Sequence, residues 1–193
     1  MSSNVYLIMP RMRGDVSQLL TAMPESINLR LMAAEMAYAV YVLHRQGFVH
    51  RDIKPQNFLV AFDGHVLLAD FEGFGVQFFE TLILGTTGYR APEVRQMHQH
   101  TPASDIYSLG KTFLRMQESL EDTSPPDNDK LSDLIGKMTS YKVQMRPTIE
   151  EVLEHPYFHP IDFNSIERKQ QGTPVSSEVV SSETPAADAS PPP

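Results

Sequence analysis

Residues 50–57 read His50-Arg51-Asp52-Ile53-Lys54-Pro55-Gln56-Asn57, and a second acidic triplet, Asp70-Phe71-Glu72, follows a hairpin pattern further along the chain. Loops at one end of a rigid scaffold would therefore bring together two carboxylates, one ammonium group and one amide. Phosphoryl transfer uses such a set. One carboxylate orients the attacking hydroxyl, a cation offsets the phosphate charge, and an amide oxygen with a second carboxylate binds Mg²⁺.

The sequence around these two stretches predicts a mostly helical fold. Apolar residues recur at three- and four-residue steps from Leu29 to Leu43, with Asn28 as a favourable N-cap and Gly47 as the stop. Residues 58–69 predict a hairpin whose two-residue turn is Asp63-Gly64. The same reasoning predicts a short strand at residues 5–9 and further helices at residues 15–22, 105–118, 131–138 and 148–153.

Composition excludes several classes of function. The chain has 193 residues, with 16 Lys and Arg against 24 Asp and Glu, and its net charge of −8 argues against nucleic acid or an anionic membrane as a partner. It has no cysteine, which excludes a disulfide framework, a thiolate nucleophile and a Cys-ligated metal. We find no apolar run of membrane-spanning length and no signal-peptide pattern, so we expect an intracellular protein, cytoplasmic or nuclear.

The last thirty residues differ in composition from the rest. Residues 164–193 are mostly Ser, Pro, Thr, Glu, Ala and Val, and they contain no aromatic side chain. Such a segment cannot bury enough apolar surface to offset the entropy lost on ordering. We therefore predict one folded domain over residues 1–163 and a disordered tail over residues 164–193.

Three motifs together resemble the protein kinase family. Residues 50–57 resemble its catalytic loop, residues 70–72 its Asp-Phe-Gly magnesium motif, and Ala91-Pro92-Glu93 its Ala-Pro-Glu motif, in the family's order and spacing. Lys54, two residues after Asp52, is the form found in serine/threonine kinases. The resemblance implies an α+β fold, predominantly α, namely a kinase-like C-terminal lobe with a small β-hairpin next to the catalytic loop.

The resemblance also implies site residues, and it implies ATP and Mg²⁺ as cofactors and a protein as substrate or partner. Asp52 would be the catalytic base, Lys54 would contact the γ-phosphate, and Asn57 and Asp70 would bind Mg²⁺. Leu59 would form the floor of the adenine site. Hinge groups that contact adenine would come from Met9, Arg11 and Met12.

Other residues of the resemblance are predicted to be structural. Asp105 would be an anchor beneath the catalytic loop, although its residue type also suits a helix N-cap. Glu93 and Arg146 resemble the buried ion pair of the family. Neither assignment gives these residues a part in the chemistry.

The sequence departs from the family pattern in two respects. Four residues precede the predicted strand at residues 5–9, so we expect no smaller N-terminal lobe with its Gly-rich loop and strand lysine. Glu72 also replaces the glycine of the magnesium motif. We therefore expect the isolated chain to have little or no activity. Three hypotheses stay open: an active kinase seen in part, a pseudokinase that acts as a binding scaffold, or a lobe completed by a partner chain.

Overall fold

A computed structural model of the chain describes residues 10–22, 28–71, 75–76, 85–96, 100–119 and 127–171. The helices are α1 (Val16–Ala22), α2 (Leu29–Arg45), α3 (Pro92–Arg95), α4 (Pro102–Glu118), α5 (Asn128–Met138), α6 (Ile149–Leu153) and α7 (Phe163–Gln171). The strands are β1 (Gly14–Asp15), β2 (Phe48–Val49), β3 (Phe58–Val60), β4 (Val66–Leu68) and β5 (Gly75–Val76). The strand predicted at residues 5–9, which includes the hinge residue Met9, lies outside the described residues.

Helix α2 is the central element, and it forms where the apolar spacing predicts it. Its N-cap is Asn28, whose side-chain oxygen accepts a hydrogen bond from the Leu31 amide at 3.1 Å. At the other end Gly47 adopts a φ of +79°, and its amide donates to the His44 carbonyl at 2.9 Å. The apolar stripe of α2 is buried against α4, α6, α7 and β4, so this helix lies at the centre of the core.

The β3–β4 hairpin is present, but its turn differs from the prediction. Ala61 and His65 still pair through the backbone at 2.8 Å, and the Gly64 amide donates to the Ala61 carbonyl at 3.0 Å. The connection therefore has three residues, 62–64, and it ends in Gly64 with a φ of +89°. The two-residue turn was wrong because the Asp63 carboxylate accepts the His65 amide at 3.1 Å, which stabilises the longer turn.

Two strand pairings were not predicted. β1 adds to β3, with Gly14 opposite Val60 and Asp15 opposite Leu59, so the first sheet has the order β1-β3-β4. A second sheet pairs β2 with β5. Strands of two residues are too short to show an alternating pattern, which is why the sequence did not reveal them.

Two helices begin earlier than predicted. α4 starts at Pro102 rather than at residue 105, because the Ser104 side chain accepts the Thr101 amide at 3.0 Å and closes the first turn. α5 likewise starts at Asn128 rather than at residue 131. Gly110 lets α4 approach α5 closely, since a Cβ atom there would lie 2.8 Å from Cβ of Met138.

Helix α7 extends past the domain boundary predicted at residue 163. Ile166 is 3% exposed in the core, and the Phe163 ring stacks on the Tyr38 ring with centroids 6.3 Å apart. These two apolar side chains attach an otherwise polar helix to the core. Polar residues dominate the average composition of this segment, so composition gave no sign of them. The tail beyond residue 171 lies outside the described residues, so its disorder stays a prediction. Within the described part of the chain, no helix combines the length and the apolar character that a membrane crossing requires.

Candidate active site

Asp105 holds the backbone of the catalytic loop. It is 1% exposed, and its carboxylate accepts the amides of His50 at 2.7 Å and Arg51 at 3.0 Å, together with His44 Nε2 at 3.0 Å. Burial alone raises the pKa of Asp105, but the hydrogen bonds from His44 and the two amides outweigh burial and lower it. The structure confirms the predicted anchor and excludes the N-cap alternative, because Asp105 lies inside α4.

Asp52 lies at the centre of a compact polar network. Its carboxylate accepts Lys54 Nζ at 2.6 Å, the Thr86 amide at 2.7 Å and Thr86 Oγ1 at 2.8 Å. Lys54 Nζ also donates to Thr86 Oγ1 at 3.0 Å. Partial burial alone raises the pKa of Asp52, but the hydrogen bonds from Lys54 and Thr86 outweigh it and lower the pKa below its usual value. Asp52 is therefore ionised at neutral pH.

Asn57 is held next to Asp52 by its own side chain. Its Nδ2 donates to the Asp52 carbonyl at 2.8 Å, and its backbone closes the short 3₁₀ turn Pro55–Asn57. Because Nδ2 is used in this way, Oδ1 is left to accept a hydrogen bond or to bind a cation. The hairpin returns to the same place, since the Ala69 amide donates to the Asn57 carbonyl at 2.8 Å.

Asp70 follows at the exit of β4 and has quite different surroundings. It is exposed, and no hydrogen bond or ion pair joins its carboxylate to another described residue. Its φ of +63° is a left-handed conformation that costs a non-glycine residue free energy, and such strain tends to occur at functional sites. The next residue, Phe71, places its ring 5.6 Å from the His50 ring and is 48% exposed.

Asn57 and Asp70 are suitable ligands for Mg²⁺. Both offer hard oxygen donors, and neither donor is used by a described protein partner. No cluster of three or more His, Asp or Glu side chains suited to a metal occurs in the described ranges. Mg²⁺ that is bound with a nucleotide usually takes its other ligands from phosphate oxygens and water.

The predicted adenine-contacting residues lie on the sheet side of the site. Leu59 is in the middle of β3, between Asp15 of β1 and Leu67 of β4. Arg11, which is exposed, and Met12, which is half-buried, lead into β1. The structure thus groups Asp52, Lys54 and Asn57 closely. It puts Leu59 on the hairpin and Asp70 just after it, and the roles of all of them stay predictions.

The segment before the Ala-Pro-Glu motif is attached to the catalytic loop. Gly85 has a φ of +91°, and a Cβ atom there would lie 2.6 Å from the Arg51 carbonyl oxygen, so only glycine fits. The contact brings Thr86 against Asp52. Sequence reasoning missed the hydrogen bonds of Thr86 to Asp52 and Lys54. The adjacent Gly85 was the available signal.

Glu93 and Arg146 form the predicted ion pair. The guanidinium group binds the carboxylate with both arms, Nη1 to Oε1 at 2.7 Å and Nη2 to Oε2 at 2.8 Å. Arg146 Nη1 also donates to the Ala103 carbonyl at 2.9 Å. Arg146 thereby connects α3, through Glu93, to the start of α4, through the Ala103 carbonyl.

Comparison with known proteins identifies the family. The sequence profile described as protein kinase domain matches residues 1–124. The chain belongs to the protein kinase family. The fold class predicted from the motifs, a kinase-like C-terminal lobe, is thereby confirmed. Members of this family generally use ATP with Mg²⁺ and act on proteins.

Two curated relatives come from Toxoplasma gondii. The serine/threonine-protein kinase WNG1 is 47% identical over 88% of this chain and 27% of its own length. The serine/threonine-protein kinase WNG2 is 33% identical over 86% of this chain and 32% of its own length. The chain therefore spans about a third or less of the length of these relatives.

One solved structure is described as a divergent kinase lacking the glycine-rich loop that regulates membrane ultrastructure of the Toxoplasma parasitophorous vacuole. It has a TM-score of 0.67 and 29% sequence identity to this chain, and the match covers 82% of this chain and 52% of that one. The fold described above is thus similar to part of a known kinase structure.

Proposed function

We propose that the protein is a serine/threonine protein kinase, which transfers the γ-phosphoryl group of ATP to a Ser or Thr hydroxyl of a protein substrate. The observation that carries the proposal is the network of Asp52, Lys54 and Thr86 beside Asn57. The names of the two curated relatives support the same reaction class. Because the chain spans about a third or less of those relatives, the proposal concerns the full-length protein.

Asp52 has the properties of the base in this reaction. Its lowered pKa keeps it ionised, so it can accept a hydrogen bond from the substrate hydroxyl and orient the oxygen toward phosphorus. The hydroxyl oxygen then forms a bond to the γ-phosphorus, and the bond from phosphorus to the β–γ bridging oxygen breaks. The hydroxyl proton passes to Asp52, and ADP leaves with the electron pair.

Lys54 supplies positive charge at the same place. Its ammonium group lies between Asp52 and Thr86, at 2.6 Å and 3.0 Å from their oxygens, where it can offset charge on the transferred group. Asn57 and Asp70 would hold Mg²⁺ through Oδ1 and the carboxylate. Bound Mg²⁺ supplies further positive charge to the phosphate oxygens.

The test is Asp52→Asn in the full-length protein, assayed for phosphate transfer to a Ser/Thr peptide. We expect the turnover rate to fall by about 10²–10⁴-fold, because the base is lost while the shape of the side chain stays. The matched control is Asp129→Asn, which removes an exposed carboxylate on α5 and should leave the rate unchanged. Equal rates for Asp52→Asn and the wild type would contradict the proposal.

A second candidate is a pseudokinase that binds a protein partner without catalysis. It is favoured by Glu72, which replaces the glycine of the magnesium motif and adds a carboxylate two residues from Asp70. Its signature is a full-length wild type that binds a partner and transfers no phosphate. In that case Glu72→Gly should bring back Mg²⁺-dependent ATP binding if Glu72 is what prevents it.

A further inference from the structure

Glu35 is a buried carboxylate far from the catalytic loop in sequence. It lies on α2, is 2% exposed, and no step of the proposed reaction uses it. Its Oε1 accepts His65 Nδ1 at 2.9 Å, and its Oε2 accepts the backbone amide of Val66 at 2.7 Å. A buried carboxylate is costly unless its oxygens are satisfied, and both oxygens have a partner here.

The bond to Val66 occupies an open edge of the sheet. β4 is an outer strand of the order β1-β3-β4. Val60 and Val66 are opposite each other, and the Val60 carbonyl accepts the Arg13 amide at 2.8 Å on the β1 side. Val60 and Val66 are therefore a non-hydrogen-bonded pair of the β3–β4 ladder. The members of such a pair direct their backbone groups away from each other, so the Val66 amide faces away from β3. Glu35 gives that amide the acceptor that a fourth strand would otherwise provide.

The opposite end of β4 leads directly into the candidate metal site. Ala69 is held through its amide by the Asn57 carbonyl at 2.8 Å and through its carbonyl by His50 Nε2 at 3.0 Å. Ala69 lies three positions after Val66, which is roughly 10 Å of extended strand. Asp70 comes next, and no hydrogen bond or ion pair joins its carboxylate to a described residue, so the backbone that leaves β4 determines its place.

We propose that Glu35 is a positioning residue for Asp70. It fixes the start of β4 on α2, while Asn57 and His50 fix the end, and the two attachments together set the distance between Asp70 and Asn57. The proposal rests on the proposed function for the role of Asp70 as a Mg²⁺ ligand. A merely structural Glu35 would change the stability of the protein and leave its Mg²⁺ requirement alone.

The test compares Glu35→Gln with the wild type in the full-length protein. Glutamine keeps the size of the side chain but offers one acceptor instead of two. We expect the Mg²⁺ concentration for half-maximal phosphate transfer to rise about tenfold, with kcat at saturating Mg²⁺ within about twofold of the wild type. Hydrogen exchange of the amides of residues 67–70 should become about tenfold faster, and that of α4 should not change.

Glu118→Gln is the matched control, because it removes an exposed carboxylate of α4 and should change neither readout. If Glu35→Gln fails to fold, His65→Ala is tested instead. It removes the hydrogen bond from His65 to Glu35 and keeps the one from the Val66 amide, so the Mg²⁺ concentration for half-maximal transfer should rise by a smaller factor. An unchanged Mg²⁺ requirement together with a uniform loss of stability would overturn the proposal.

Failure of the proposed kinase function can be distinguished from failure of the positioning role of Glu35. If the full-length wild type transfers no phosphate, the Mg²⁺ requirement cannot be measured. The affinity for Mn²⁺ in the presence of ADP is then measured in its place, by electron paramagnetic resonance. Weaker Mn²⁺ binding by Glu35→Gln, with faster exchange at residues 67–70, would still support the positioning role. Unchanged Mn²⁺ binding would refute it.

Discussion

Asp105 and Asp70 are linked through the same histidine, yet their surroundings are opposite. The His50 amide donates to Asp105, and the His50 ring donates to the Ala69 carbonyl next to Asp70. Asp105 is buried and accepts three hydrogen bonds, whereas Asp70 is exposed and accepts none from the described residues. The Asp105 carboxylate, with both oxygens used, holds the loop in place, whereas the Asp70 oxygens have no described partner and can bind a ligand.

The largest expected effect is that of Asp105→Ala on stability. The substitution leaves the amides of His50 and Arg51 buried without an acceptor, so we expect the free energy of unfolding to fall by about 3–5 kcal/mol. Urea unfolding followed by circular dichroism measures it. Asp70→Ala is the comparison, and it should stay within about 0.5 kcal/mol of the wild type. Similar losses for both variants would break the contrast between the two carboxylates.

Asp70→Asn should lower the activity of the protein without lowering its stability. We expect kcat/KM for phosphate transfer by the full-length protein to fall about 100-fold, because an amide is a poorer Mg²⁺ ligand than a carboxylate. The midpoint of urea unfolding should not move. Assays at several Mg²⁺ concentrations check the cause, since excess Mg²⁺ should restore part of the activity. Loss of activity that follows a loss of stability would argue against a ligand role.

Acid pH should produce the smallest effect, and its sign follows from the lowered pKa values of Asp105 and Asp52. Above about pH 5 both carboxylates are almost fully ionised in the folded and unfolded chains, so their stabilisation is nearly complete. As the pH falls further, the unfolded chain binds protons first, and stability declines until the lower folded-state pKa values are passed. Asp105→Asn should make the decline of the unfolding free energy with falling pH less steep. An unchanged decline between pH 4.5 and 2.5 would contradict a lowered pKa for Asp105.

Local sequence signals predicted the elements that position the site. The spacing of apolar residues and the Asn28 cap predicted α2, and the motif at residues 50–57 predicted the catalytic loop. Boundaries were less accurate where a side chain closes a turn, as Ser104 does at α4 and Asp63 does in the hairpin. Those contacts depend on geometry that a propensity argument does not contain.

Contacts between distant residues were not predictable in the same way. Asp105 was predicted through the family resemblance, but its partner His44 was not, since 61 positions separate the two. Glu35 and Val66 are 31 positions apart, and neither belongs to a motif. A carboxylate among the apolar residues of a predicted buried helix was a local sign that Glu35 needed a partner.

The place of α7 in the core has a consequence for synthesis on the ribosome. About 120 residues separate the end of α2 from Ile166, which packs in the same core. At roughly 5–20 residues per second, part of the core stays uncovered for roughly 6–24 s while the rest of the chain is made. We expect nascent chains that stop before Phe163 to be bound by chaperones, and those that extend past Gln171 to be released.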